Sequence, residues 1–256
     1  MDFYPIKILK VFSPLDISGE IFLGVRMNKK PFCSELIYLL SIIIISFSVA
    51  MLTAADFGIS MVVAPAYIVS QALPFLTFGQ AEYVVQGALF ILMCLLMRRI
   101  KAPFFFSFVT CLIYGLFLDL WRIIIPTFNP LVCAPGSMQL WVRIVFFVVG
   151  ELLTTLAVAL SFKSYLYPQV YDFFVSAVTK HFNVSLGKFK TFFDFVFLAL
   201  SLILTFSIFG KLVGVNWGTI IMAVVNGPLI SFFSKTFDKI FYPNPLLKKF
   251  SKIFEN

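Results

Sequence analysis

FGQAEYVVQGALFILMCLLMRRIKAPFFFSFVTCLIYGLFLDLW, residues Phe78–Trp121, is a long apolar run, a short basic hinge and a second apolar run ending at Asp119 and Trp121. Each run holds about 20 residues, the length that crosses roughly 30 Å of hydrocarbon as an α-helix. The stretch therefore reads as a transmembrane hairpin. The chain repeats it in LGKFKTFFDFVFLALSLILTFSIFGKLVGVNWGTIIMAVVNGPLISFFS, Leu186–Ser234, where Gly187 falls on Gly79 and Asp194 on Gln86. With a few extra residues in the second hinge, Thr219 falls on Ser107, Asn226 on Tyr114, Gly227 on Gly115 and Ser231 on Asp119.

Composition agrees with a membrane as solvent. Hydrophobic residues make up 61% of the 256-residue chain, charged residues 12%, and the mean hydropathy is +0.99, far from soluble averages. The net charge of +8 does not form one patch. Lys and Arg alternate with the apolar runs, as they do in cytoplasmic loops, so nucleic acid is not an expected partner. Cys33, Cys94, Cys111 and Cys133 form no CxxC and have no neighbouring histidine, which excludes a zinc or thioredoxin-type motif.

Working outward from the hairpin, residues 1–34 are mixed apolar and basic. They lack an apolar core long enough for a signal peptide and read as a cytoplasmic, partly interfacial lead-in. The first span is expected over Glu35–Ala55. Asp56–Thr77 is apolar but broken by Gly58, Pro65, Gln71 and Pro74, which predicts a short half-inserted or surface helix. The second and third spans are Gly79–Met97 and Pro103–Arg122, and a Pro/Gly/Asn-rich loop, Ile123–Gln139, leads to a fourth over Leu140–Phe162. Residues 163–186 predict an amphipathic helix opened by Pro168, with Val170, Phe173, Phe174, Ala177 and Val178 opposite Gln169, Asp172, Ser176 and Lys180. The fifth and sixth spans are Lys190–Phe209 and Asn216–Ser234. A basic tail, 235–256, sets Leu246, Leu247, Phe250, Ile253 and Phe254 against Lys248, Lys249 and Lys252.

The expected fold is an all-α membrane protein of six transmembrane helices in two repeats, residues 35–122 and 140–234. Each repeat carries one extra short broken or amphipathic helix, near Pro65 and Pro168. Three spans per repeat is an odd number, so the second repeat must enter the membrane inverted. The pairs Gln80/Lys188 and Glu82/Lys190 read as outer positions in the first repeat and inner positions in the second. Basic residues gather in the lead-in, the hinge Arg98–Lys101, the 163–190 connection and the tail, which places both termini in the cytoplasm. Trp121, Trp141 and Trp217 all fall at helix ends on the opposite side.

GISMVVAPAYIVS, LTFGQAEY, RRIK and FFFSFVTCLIYGLFLDLW, with the second-half echo YLYPQVYDFFVSAV, GKFKTFFD and VGVNWGTIIMAVVNGPLI, resemble the YczE/YyaS/YitT-like integral membrane proteins of bacteria. The resemblance spans residues 35–240 and implies a six-span protein of the bacterial plasma membrane. It implies no substrate and no catalytic residue.

Glu151 stands near the centre of the fourth span beside Gly150, with Thr154 and Thr155 one turn on. An ionisable group at that depth costs at least ~2.5 kcal/mol and marks a pathway or proton site more readily than structural glue. Gln86 and Asp194 approach the midplane from opposite sides, each seven residues beyond its matched glycine. Tyr114 and Asn226 each precede a glycine where backbones can approach; packing and pore lining are the alternatives there. Asp119 and Arg122 read as an interfacial i, i+3 ion pair.

Enzymatic chemistry is not expected. His181 stands alone, no span carries GxSxG, no P-loop or GxGxxG is present, and Asp119 and Asp194 fall near opposite faces. No cofactor is implied. The leading expectation is a secondary transporter or permease for a small solute or ion, since inverted repeats with midplane sites are a transporter architecture. Its candidate site residues are Glu151, Gln86, Asp194, Thr154, Thr155, Tyr114 and Asn226. The alternative is a non-transporting accessory protein that docks a cytoplasmic partner or assembles as a homo-oligomer. In intact cells an impermeant thiol reagent should label Cys133 alone of the four cysteines; labelling of Cys33 would reverse the orientation.

Overall fold

The structure, a computed structural model, describes residues 30–98, 102–244 and 246. The lead-in before Lys30, hinge residues 99–101 and the amphipathic part of the tail lie outside the described residues. Eight helices follow in order: α1 (Ser34–Ala55), α2 (Ala64–Ala72), α3 (Phe78–Met97), α4 (Ala102–Ile124), α5 (Leu140–Ser161), α6 (Val170–Phe182), α7 (Leu186–Phe209) and α8 (Trp217–Ile240). A 3-10 turn, Pro126–Phe128, lies between α4 and α5. Six of these helices are long and apolar enough to cross a membrane: α1, α3, α4, α5, α7 and α8. The chain is a multi-pass membrane protein whose lipid-contacting surface is apolar.

The spans alternate in direction. The near end of the bundle holds the start of α1, the far end its finish. At the near end a two-stranded parallel sheet pairs β1 (Lys30–Cys33) with β2 (Phe241–Asn244), and buried Lys163 pairs with Asp238 at 2.7 Å. At the far end Arg143 donates to the carbonyls of Ala55 and Asp56 and pairs with the Asp56 carboxylate at 3.7 Å. Burial raises the Asp56 pKa above the usual carboxylate value, and the Arg143 charge opposes that shift. Gly58, at φ +104°, lies where a Cβ would stand 2.9 Å from the Asn216 amide nitrogen, so only glycine fits there.

The centre is the contact of α1 with α5, the two most buried spans after each is packed. Gly150 lets α5 approach so closely that a Cβ there would lie 2.9 Å from Leu52 Cγ. Beside it the hydroxyls of Ser48 and Thr154 share a 2.9 Å hydrogen bond. Ser41, Ser46, Ser48 and Thr53 each donate back to the carbonyl three residues earlier, which lets small polar residues sit inside a helix bundle without stranded donors. Around this pair α4 packs on α1 and α8 on α5, while the short helices α2 and α6 each touch both α3 and α7.

The two hairpins differ. α3 and α4 pack together, and a Cβ on Gly79 would collide with the Gly115 carbonyl while one on Gly115 would meet the Tyr83 ring. α7 and α8 do not pack along each other, and Gly187 and Gly227 have open space beside them. The matched glycines therefore do different jobs. α8 is the most exposed span, with only Gly218, Thr219 and Met222 buried, and it runs to Ile240, past the expected end at Ser234.

Two further expectations change. The helix after Pro65 is not a surface helix: Ala64, Pro65, Ala66, Tyr67, Ile68 and Ser70 are buried. Glu82, one turn into α3 from its far end, is turned into the bundle and fully buried. Asp119 does not pair with Arg122; it accepts from the Thr77 hydroxyl at 2.5 Å and the Gly79 N–H at 2.9 Å, capping the start of α3, while Arg122 donates to the Phe128 carbonyl. A carboxylate there is favoured by the helix dipole.

In detergent, Gly79→Ala and Gly115→Ala should each cost about 1–3 kcal/mol through overpacking. Gly187→Ala and Gly227→Ala should be neutral or stabilising by about 0.5–1 kcal/mol, because Ala is the better helix former where nothing is displaced. Thermal unfolding decides, and equal effects at all four positions would contradict the difference between the hairpins.

Candidate functional site

The α6 helix is not an interfacial helix lying flat. Its first amide, Val170 N–H, donates to Gln86 Oε1 at 3.2 Å, and Gln86 stands eight residues, about 12 Å, from the far end of α3. Its Tyr171 ring meets Phe197 at 5.7 Å, eleven residues and about 16 Å from the near end of α7. The two rulers together give about 28 Å, close to the roughly 30 Å of hydrocarbon. So α6 is a half-helix whose N-terminus reaches the middle of the bundle. Its buried face, Val170, Phe173, Phe174 and Val178, packs on α3, α4 and α7 rather than on lipid.

At that N-terminus lies a buried polar cluster. Glu82 Oε2 accepts from Gln86 Nε2 at 2.9 Å and from the Tyr171 hydroxyl at 3.0 Å. Gln86 Nε2 also donates to Gln169 Oε1 at 3.1 Å. Glu82 Oε1 has no hydrogen-bond partner among the described residues, nor does the hydroxyl of fully buried Tyr114. Tyr114 is one turn beyond Cys111, whose thiol lies 3.9 Å from the Glu82 carbonyl. Gln86 and Tyr114 are thus brought to one region, and the acid beside them is Glu82. The signal for it was the i, i+4 spacing of Glu82 and Gln86.

Asp194 is elsewhere. It pairs with Lys190 at 3.2 Å, and Lys190 reaches Asp172 of α6 at 3.7 Å, so this candidate is spent in an ion-pair chain, at the same depth in α7 as Gln86 in α3. Asp172 lines two cavities. One, of about 250 Å³, is also lined by Ser176, Thr179, Lys180 and Lys190 on the near side. The other, of about 30 Å³, is lined by Tyr38, Ser41, Thr110 and Gln169.

Glu151 forms a second buried site. It is 4% exposed and neither carboxylate oxygen has a hydrogen-bond partner among the described residues. Thr154 and Thr155 do not reach that carboxylate; they donate to the carbonyls of Gly150 and Glu151. Phe147, one turn before Glu151, faces α8: its ring lies 2.7 Å from where a Cβ on Gly218 would stand. α5 and α8 run in the same direction, so successive i, i+4 steps set Glu151 level with Met222 and Thr155 level with Asn226. Asn226 Oδ1 is buried and has no partner among the described residues either. The unpartnered buried groups are Glu82 and Tyr114 on α3 and α4, and Glu151 and Asn226 on α5 and α8. No group of three or more metal-ligating side chains occurs among the described residues.

Residues 32–235 match the model of a family of unknown function, DUF6198, and the chain belongs to that family. Comparison with the curated proteins and with the solved structures returned no match.

Removing Gln86 as Gln86→Leu strands the Val170 N–H and the Gln169 carbonyl oxygen and leaves Glu82 with Tyr171 alone. Each stranded group costs about 1–3 kcal/mol, so Gln86→Leu should lower thermal stability more than Tyr171→Phe. Two neutral variants would contradict the hydrogen-bonded cluster.

Proposed function

We propose that this member of the DUF6198 family is a small secondary transporter or permease for a small solute or ion, set in a bacterial plasma membrane with both termini in the cytoplasm. The observation that carries the reading is Glu151: a carboxylate buried inside a spanning helix with both oxygens unpartnered. Stability alone gives no reason to keep such a group, and in membranes it marks an ion or substrate pathway. Glu151 binds the coupling ion or the charged part of the solute, with Asn226 of α8 as a second candidate ligand.

The contact pattern supports two inverted repeats, α1–α4 and α5–α8. Exchanging the halves turns α1–α4 packing into α5–α8 packing, α2–α3 into α6–α7 and α2–α7 into α6–α3, and all of these pairs are in contact. Ser48 and Thr154, which bond each other, stand fourteen residues past the starts of their own helices, as they must if a two-fold axis passes between them. The differing hairpins then have a role. With α3–α4 closed by glycines and α7–α8 apart, the larger cavity lies toward the near side; alternating access exchanges these roles.

In proteoliposomes, Glu151→Gln should lower solute-driven flux by about tenfold or more. Flux that survives unchanged removes Glu151 from the mechanism. Absence of flux across amino acids, sugars, organic acids and inorganic ions moves the assignment to an accessory protein.

A further inference from the structure

We propose that Glu82 is a proton-binding site of its own, loaded from the near side past the tip of α6. The assignment stands apart from transport and from Glu151. Glu82 is fully buried, one oxygen accepts two hydrogen bonds, and the other has no partner among the described residues. A carboxylate anion so placed would keep a bare oxygen in a low-dielectric interior, the costliest arrangement for a charge. A proton on Oε1 removes that charge and needs no extra room. Neither of the cavities above is lined by Glu82, so a metal ion or organic cation fits the site less well.

Among the described residues no cation compensates Glu82. α3 is packed by α2, α4 and α6. From α6 comes the Tyr171 hydroxyl, bonded to Glu82; from α4 come Cys111 and Tyr114. From α2 comes Tyr67, whose ring meets that of Phe78, one turn away, edge-on. Tyr83 on α3 itself is tied to the Leu112 carbonyl. The charged groups of this region, Asp119 and Arg122, stand at the helix end, on Gly79 and over the Phe78 ring.

The proposed route runs through the smaller cavity. Gln169 lines the 30 Å³ cavity and its side-chain oxygen holds Gln86, which holds Glu82. That volume admits a water molecule. When Gln169 swings off Gln86, the proton on Glu82 Oε1 passes to water there, and the carboxylate left behind keeps the Tyr171 O–H and Gln86 N–H. The tip of α6 adds its positive dipole to that charged state. Gln169 is therefore a positioning residue and gate.

Infrared difference spectra of the purified protein in lipid nanodiscs test this. A protonated-carboxyl stretch should shift in D2O and disappear at high pH. It should vanish in Glu82→Gln, persist in Glu151→Gln, and change frequency in Tyr171→Phe, which loses one bond to the group. Gln169→Leu should slow its deuterium exchange at least several-fold. A wild-type spectrum with no exchangeable carboxyl stretch overturns the proposal, whether or not Glu82→Gln folds. So does a stretch that Tyr171→Phe leaves unmoved, or one that neither D2O nor pH alters, which would mean a sealed acid bridged to Tyr114 by water.

Discussion

The close crossing of α1 and α5 is the constraint on which the other helices depend. Lipid offers no hydrophobic drive to bring spanning helices together, so association rests on close backbones and interhelical hydrogen bonds. Gly150 supplies the first and the Ser48–Thr154 bond the second. α4 and α8 then pack on opposite members of the pair, and α2 and α6 bridge between α3 and α7. Arg143 and Asp56 close the far end, while Lys163, Asp238 and the small sheet close the near end.

Within that frame the polar interior is divided rather than pooled. Serines and threonines of the spans are satisfied by their own helix carbonyls, so they line interfaces at little cost. The acids are not treated alike. Asp119 caps a helix and Asp194 is neutralised by Lys190, whereas Glu82 and Glu151 each keep an oxygen unpartnered. Two buried acids, Glu82 on α3 and Glu151 on α5, are therefore the interior's charge sites.

Much of the architecture was legible because the bilayer fixes the length of an apolar helix: the first five spans fall within a few residues of their expected bounds, while α8 overruns its own to Ile240. Gln86, Glu151 and Tyr114 were legible as polar groups inside apolar runs. What the periodicity of one helix could not show was partnership across helices. Glu82, one turn from the start of α3, read as a boundary charge until Tyr171 from α6 reached it. Asp194 read as a site-lining group although Lys190, four residues earlier, was available to neutralise it. The α6 stripe looked interfacial because an apolar face does not reveal whether lipid or protein covers it. The matched glycines had the same sequence signal in both hairpins, yet only Gly79 and Gly115 are in contact.

The inverted two-fold through the α1–α5 crossing is the central claim, and it makes a demand on pairs not related by sequence. An axis between Ser48 and Thr154 carries Leu52 and Gly150 onto Val158 and Ile44, four residues to either side of the crossing. Disulfide cross-linking in native membranes, with double-cysteine variants at 52 and 150 and at 44 and 158, measures this directly. The account predicts that both pairs cross-link with comparable efficiency, while 44 with 150 does not. Efficient cross-linking at 52 and 150 alone would mean that the helices cross without the symmetry, and would contradict it.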